Sequence, residues 1–453
     1  MSNEPLYDIL PHFVKYQKRY ILLLAFIVLF IPLLINSIQG DPLLMGQESY
    51  FVLEESSRVP WYHFSFSFIN ILQSFLPASL LFCIPFLLGI GTLLLYFRFG
   101  DNKLFSRQWN FIFLLILVSS PAFIFTFSTI SATALFAFFT LTGFVLLTEK
   151  KVWLHYCGVV PFAIAATLDI FHSFFLLVIV TWFLHTYKWK KHHRNIAIAT
   201  AASTLLLGII TKLPFLLGPF SIPQLSADFI SDLGGMSGMS FFVIMIALVG
   251  LFTAWKRKSF IVTYFFLLFT IATYIYAPQT IFVLTLVTIV FAAFGLQKLV
   301  ERKWILEGIR TFTLLLLLLG LLFSLSTYEQ RLHTFSPMAD QVDALTWLHD
   351  TTPGDVRVFS NAENEHFIRY FAERDAFSSY NKNQQKTDAI FNATSVSLLF
   401  RLLEEDNIKY IYLTPQLKQE LERNQQFIYL LENERFKLEY HANDVEVWQF
   451  RKR

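Results

Sequence analysis

The sequence predicts a polytopic α-helical membrane protein with a small C-terminal α/β domain outside the membrane. Three observations carry this. The 453 residues are 55% hydrophobic and 15% charged, with 52 Phe, whereas soluble domains average about 25% charged residues. Several apolar runs approach the ~20 residues that cross a bilayer core. From Ser336 onward the composition becomes that of a soluble domain. The expected division is 1–330 for the membrane part and 331–453 for the α/β domain.

About eleven spans of this kind lie near 20–38, 76–97, 109–126, 130–148, 153–169, 171–187, 195–212, 240–255, 259–276, 279–297 and 309–327. The first run is long and no A-x-A site follows it, so it reads as a retained signal anchor. Cys83 and Cys157 fall in apolar segments and read as packing residues. Basic residues gather on alternate loops: Lys15, Lys18 and Arg19; Arg98, Lys103 and Arg107; Lys150 and Lys151; "KWKKHHR" (188–194); "KRK" (256–258); and Lys298, Arg302, Lys303 and Arg310. The positive-inside rule then puts the N-terminus inside. The opening loop, the loop 211–240 and the tail lie outside.

In the tail, Val342, Leu345 and Leu348 recur at helical spacing. "DVRVFS" (355–360) and "IKYIYLT" (408–414) read as strands, and "FKLEYHANDVEVWQF" (436–450) as a hairpin turning at Asn443–Asp444. "ENEHFIRYFAERD" (363–375) and "TDAIFNATSVSLLFRLLEEDN" (387–407) read as one helix each. Strands alternating with helices imply a small α/β domain. Asn392-Ala393-Thr394 is a sequon.

The opening loop "GDPLLMGQESYFVLEESSR" (40–58) carries Asp41, Glu48, Glu54 and Glu55. On a helix from Gln47 to Arg58, Glu54 and Arg58 are spaced for an i,i+4 ion pair. Asp41-Pro42 is turn chemistry. Glu48, between Gly46 and the aromatics Tyr50 and Phe51, is the acid left to explain; a solvated loop acid is the bland alternative. Asp169 and His172 lie at the outer junction of two spans, either as a site at the membrane edge or as a capped helix end with Asp169 at the N-cap. The loop 211–240 holds Lys212, Asp228 and Asp232 before "GGMSG", and its length and Gly/Pro content suit a binding or gating loop. Arg58 and Lys212 are the outer-loop cations a lipid phosphate would need; interfacial snorkelling is the alternative for each. There is no Walker loop, G-x-G-x-x-G, H-E-x-x-H or internal repeat, and no nucleic-acid partner is expected.

A long acidic first loop, about eleven N-in spans and an outside α/β tail together resemble the GT-C class of membrane glycosyltransferases. Within it, the chain looks like archaeal relatives of the oligosaccharyltransferase catalytic subunit. The loop 40–58 resembles that family's first loop. "SSPAFIFTFSTISATALFAFF" (119–139) resembles its third and fourth spans, "DFISDLGGMSGMSFFVIMIALVGLFTAWKRK" (228–258) its late outer loop, and "ALTWLHDTTPGDVRVFSNAENEHFIRYFAERDAF" (344–377) the opening of its soluble domain. The resemblance makes Glu48 the first-loop acid, which orients or deprotonates the acceptor or ligates a divalent metal. It makes Asp232, with Asp228 in reserve, the late-loop acid. Arg58, Lys212, Tyr50, His172 and Asp169 form the substrate-binding set. The turn that supplies the family's further metal-binding acids reads "FSTIS" (127–131) here, so no metal ligand is assigned, although the likeness implies Mg or Mn. The Trp-Trp-Asp-Tyr-Gly acceptor motif would fall near "SNAENEHF" (360–367) and is absent. An arginine expected near the tenth span is replaced by "YAPQT" (276–280).

The expected activity is transfer of a sugar from a polyprenyl-phosphate-linked donor, reached from the membrane lipid, to an extracytoplasmic acceptor, a protein or glycan. A prokaryotic plasma membrane is the expected location. The alternative is a non-catalytic relative acting as a scaffold or glycolipid-binding protein.

Overall fold

The computed structural model describes residues 16–58, 64–77, 80–100, 106–149, 151–168, 170–186, 229–277, 280–378, 383–422 and 426–451. The chain forms two compact units, Met1–Ile35 with Pro60–His333, and Asn36–Val59 with Thr334–Arg453. The opening loop, kept with the membrane part in the sequence division, thus shares a unit with the tail.

The first unit is helical. Among the described residues, three helices are long and apolar enough to cross a membrane: Gln17–Gln39, Ile281–Glu301 and the helix that begins at Glu307. Cys83–Phe99, Ala132–Thr148, Trp153–Leu168, Phe241–Ala254 and Ile261–Ile275 are shorter apolar helices. The expected span 195–212 lies outside the described residues. The expected span 109–126 is bent by 63° between Arg107–Val118 and Pro121–Ser128, and counts as a fourth crossing if the pair is one span. The break has a local cause. Pro121 offers no backbone N–H, and the Ser120 hydroxyl caps the new helix by accepting from Phe123 N at 3.3 Å. The next helix starts the same way, Ser131 Oγ accepting from Ala134 N at 3.2 Å. "FSTIS" is therefore a turn that ends in a hydroxyl cap.

Packing in this unit relies on bare backbone. Helices Phe241–Ala254 and Ile281–Glu301 cross at Gly250 and Gly295. A Cβ on Gly250 would lie 1.8 Å from the Phe291 carbonyl oxygen, and one on Gly295 2.4 Å from that of Ile246. Ala247, Ala254 and Ala292 are buried nearby in sequence on the same helices. Lipid removes most of the hydrophobic drive between helices, so close approach through small residues supplies the van der Waals contact instead.

The second unit is built on a five-stranded sheet: β1 Arg357–Phe359, β2 Asp375–Ala376, β3 Ile408–Leu413, β4 Phe436–Ala442 and β5 Val445–Phe450. The order is β2-β1-β3-β5-β4. β1 pairs parallel with β2 and β3, and β5 pairs antiparallel with β3 and β4. The expected hairpin turns where foreseen, with Asn443 left-handed at φ 46°. The expected helix over 387–407 is two, Gln384–Phe391 and Val396–Glu405. Ser395 Oγ caps the second by accepting from Leu398 N at 3.3 Å, and the sequon occupies the break. Phe359, Ile390, Leu399, Leu403, Ile411 and Phe427 centre the core.

Helix Gln47–Arg58, here the loop helix, is bound to this domain. Gly46 enters it at φ 74°, a conformation that glycine adopts without a Cβ penalty. Asp41 Oδ1 accepts from Ala339 N at 2.8 Å, satisfying a first-turn N–H of helix Ala339–Thr351. Gln47 Nε2 donates to Ala362 O at 3.2 Å. The Tyr50 ring sits 5.1–5.2 Å from those of Phe367, Tyr370 and Phe371. The Phe51 ring lies 4.8 Å from His366. Glu54, its side chain only 3% exposed, lies 3.2 Å from His366 Nδ1 and 3.7 Å from Arg369 Nη1. Arg369 also pairs with buried Glu365 at 2.9 Å. The local spacing pairs Glu54 with Arg58, whose side chain lies outside the described ones; the partners the fold provides come from 312 and 315 residues away in sequence.

Two outcomes follow from these contacts. Gly250→Ala destabilises the protein by about 1–3 kcal/mol, read as a lower thermal midpoint in detergent. Gly308→Ala, where an added Cβ meets nothing within 4 Å, leaves that midpoint unchanged or slightly raised. Glu54→Ala lowers the midpoint as well, by breaking a buried pair. In a double-mutant cycle with His366→Ala, the two losses fall short of additivity by about 0.5–3 kcal/mol; full additivity would mean the two side chains do not interact.

Candidate functional site

Glu48 stands in the first turn of the loop helix. Ser49 and Tyr50 beside it are buried and committed, Ser49 Oγ donating to Met45 O at 2.5 Å and Tyr50 OH to Leu44 O at 3.0 Å. Burial pushes the Tyr50 phenol up, so it stays a neutral donor. The Glu48 side chain, by contrast, is exposed. Solvent reaches it, yet enough protein surrounds it that lost hydration pushes its carboxyl up to about 7. A position at a helix N-terminus favours the carboxylate; here desolvation outweighs that preference. The result is an accessible acid that changes charge near neutrality, which suits proton transfer.

Asp232 belongs to the first unit, and its carboxylate is engaged. Oδ2 accepts from Phe241 N at 2.7 Å and Ser240 Oγ at 3.3 Å, at the start of helix Phe241–Ala254. Oδ1 accepts from Ser324 Oγ. Tyr328 OH donates to Met236 O, and Arg331 Nη2 donates to Ser231 O and Gly235 O. Ser324, Tyr328 and Arg331, spaced i, i+4 and i+7 on helix Glu307–Leu332, thus clasp the segment 231–236. Their spacing is legible in the sequence, but the backbone carbonyls they bind are not.

His172 is buried, its ring 4.5 Å from that of Phe136. Arg58 ends the loop helix. Asp169, Lys212 and Asp228 lie outside the described residues. One acid escaped the sequence reading. Glu329, 5% exposed, has no hydrogen-bond partner for either carboxyl oxygen among the described residues. It sits in the polar last turns of an otherwise apolar helix, where an ionisable residue is a functional candidate by default. The divalent metal implied by the resemblance does not fit the donors in view. Among the described residues no three His, Cys, Asp or Glu come together, and four donors, the Ser231, Ser240 and Ser324 hydroxyls and Phe241 N, take up the Asp232 carboxylate.

No protein-family model and no curated protein matches the sequence. Solved structures do. The chain is similar to the Archaeoglobus fulgidus oligosaccharyltransferase tethered to an acceptor peptide containing the NVT sequon, at 11% identity and TM-score 0.56, over 97% of this chain and 74% of that one. It is similar to the apo form of the same enzyme at 13% identity and TM-score 0.56, over 88% and 70%. It is also similar to the archaeal oligosaccharyltransferase AglB from A. fulgidus in complex with an inhibitory peptide and a dolichol-phosphate, at 12% identity and TM-score 0.56, over 96% and 74%. At such identities the likeness speaks for the fold, and over nearly its whole length this chain has the fold of the GT-C membrane glycosyltransferases.

Proposed function

We propose that the protein transfers a sugar from a polyprenyl-phosphate-linked donor to a hydroxyl or amide acceptor outside the membrane, with Glu48 as the general base or acceptor-orienting group. The observation that carries this reading is the place of Glu48: an exposed acid in the first turn of its helix, on a helix anchored at Gln47, Tyr50 and Glu54. The fold supports the reaction class, since a similar structure holds a dolichol-phosphate.

In this reaction the acceptor heteroatom attacks the anomeric carbon. The bond from that carbon to the phosphate oxygen breaks, and the polyprenyl phosphate leaves with its electron pair. The acceptor proton passes to Glu48. A cation must neutralise the leaving phosphate; Arg58 and Lys212 are assigned that role. Tyr50, fixed by its ring contacts, helps hold the helix rather than the substrate. The N-in orientation and the extracytoplasmic acceptor rest on the distribution of basic loops. The rival reading, a glycolipid-binding protein without catalysis, draws on the engaged carboxylate of Asp232 and on the acid-free turn "FSTIS".

The test is a transfer assay in membranes with a polyprenyl-phosphate-linked sugar. Wild-type rate rises with pH through an inflection near 7, because only the carboxylate accepts a proton. Glu48→Gln lowers turnover about 10²–10⁴-fold and removes the inflection. Unchanged turnover in an active preparation removes Glu48 from the mechanism; lipid-linked sugar bound without turnover supports the rival. A second readout needs no substrate. The folded-state value lies above the ordinary 4.5, so Glu48 contributes stability below about pH 4.5 and loses it as pH rises through about 7. Wild type therefore loses more thermal stability than Glu48→Gln between pH 5 and pH 8.

A further inference from the structure

The first unit contains a cavity of about 660 Å³ that the proposed chemistry does not use. Its deep wall is aromatic and aliphatic, with Phe127, Phe136 and Phe282. Its other end is polar: Ser106, Arg257 and Gln297 line it where helices meet the basic loops. Two further details point to a ligand. Thr140 lines the cavity, is 6% exposed, and its hydroxyl has no hydrogen-bond partner among the described residues, whereas Thr142 and Thr148 of the same helix bond back to carbonyls one turn earlier. The Arg257 guanidinium lies over the Phe294 ring at 4.7 Å and makes no hydrogen bond to any described residue. Lys298 flanks the same ring at 5.9 Å and pairs with Glu301, which also accepts from Gln297 at 2.6 Å.

We propose that this cavity holds one acyl chain of an anionic phospholipid from the leaflet on the basic side, its phosphate at Arg257 and its hydrocarbon against the aromatic wall. Charge decides the class of occupant. Lys256, Arg257, Lys258, Lys298, Arg302 and Lys303 surround the mouth in sequence against Glu301 and Glu307, and basic pockets between membrane helices favour anionic headgroups. Shape decides the rest. A largely apolar interior with a polar end fits an amphiphile that enters tail first. The glycolipid donor of the proposed reaction is read from the opposite side, so this site is separate from it and its test does not depend on transfer activity.

The test uses the full chain in nanodiscs of phosphatidylcholine doped with phosphatidylglycerol of the same chains, with bound lipid counted by native mass spectrometry. Wild type retains phosphatidylglycerol about fivefold over phosphatidylcholine, the order expected for one basic residue. Arg257→Gln abolishes that preference but keeps a chain bound. Ala137→Trp, at the cavity wall, loses both lipids. Thr140→Leu, which fills less of the cavity, serves if the larger side chain prevents folding, and it weakens retention of both lipids without changing their ratio. Equal retention of the two lipids by wild type, or a preference that survives Arg257→Gln, overturns the proposal. Undecaprenyl phosphate displacing phosphatidylglycerol one for one also overturns it, by giving the cavity to an isoprenoid carrier.

Discussion

A buried carboxylate fixes the second unit. Glu54 is almost wholly removed from water, and a charge in that position is tolerated only with partners at close range. Its own helix offers Arg58 one turn on, and the tail brings His366 and Arg369 to the carboxylate. The loop helix and the tail are thus one folding problem, although more than three hundred residues separate them. The three rings around Tyr50 supply apolar contact, and the ion pairs supply direction. Aromatic contact tolerates several rotations of a helix about its axis, whereas a carboxylate between an imidazole and a guanidinium selects one. That rotation decides where Glu48, six residues earlier, points.

Much of the tail was legible because its signals are local. Alternation in "IKYIYLT", the Asn-Asp turn of the last hairpin and the spacing of Val342, Leu345 and Leu348 each lie within a few residues, and each element formed where expected. The loop helix was legible for the same reason. What local spacing misses is pairing across distance: an i,i+4 rule sees only one helix, so it offers Arg58 to Glu54 and cannot offer His366 or Arg369. Asp41 looks like turn chemistry because nothing nearby reveals that it caps a helix starting at Ala339. Hydroxyl capping was the other blind spot. Ser120 restarts a helix inside an apolar run, so hydropathy reads as one span what the backbone builds as two segments; the restart at Ser131 falls at the turn expected between spans.

Glu48 and Asp232 show how residue type underdetermines role. Both are acids near the start of a helix, and the family likeness treats them as a pair. Asp232 accepts a backbone N–H and three hydroxyls, which leaves it little capacity for a substrate. Glu48 has lost hydration without gaining comparable donors, which favours the neutral form and a pKa near the working range. The difference is one of environment, and no spacing rule contains it.

The membrane unit is tight in one place and open in another, and one principle covers both. At Gly250 and Gly295 two backbones touch, because contact between small residues is what remains to join helices in lipid. Along the same helix Ile281–Glu301, Phe282, Phe294 and Gln297 line a cavity. In a water-soluble core such a gap forfeits dispersion contacts on every wall. In a bilayer the missing contacts can come from a hydrocarbon chain of the surrounding solvent, so the cavity has an occupant at hand and selection need only fix its headgroup. Arg257 at the polar end and the uncommitted hydroxyl of Thr140 within are the features a purely apolar lipid contact would not require.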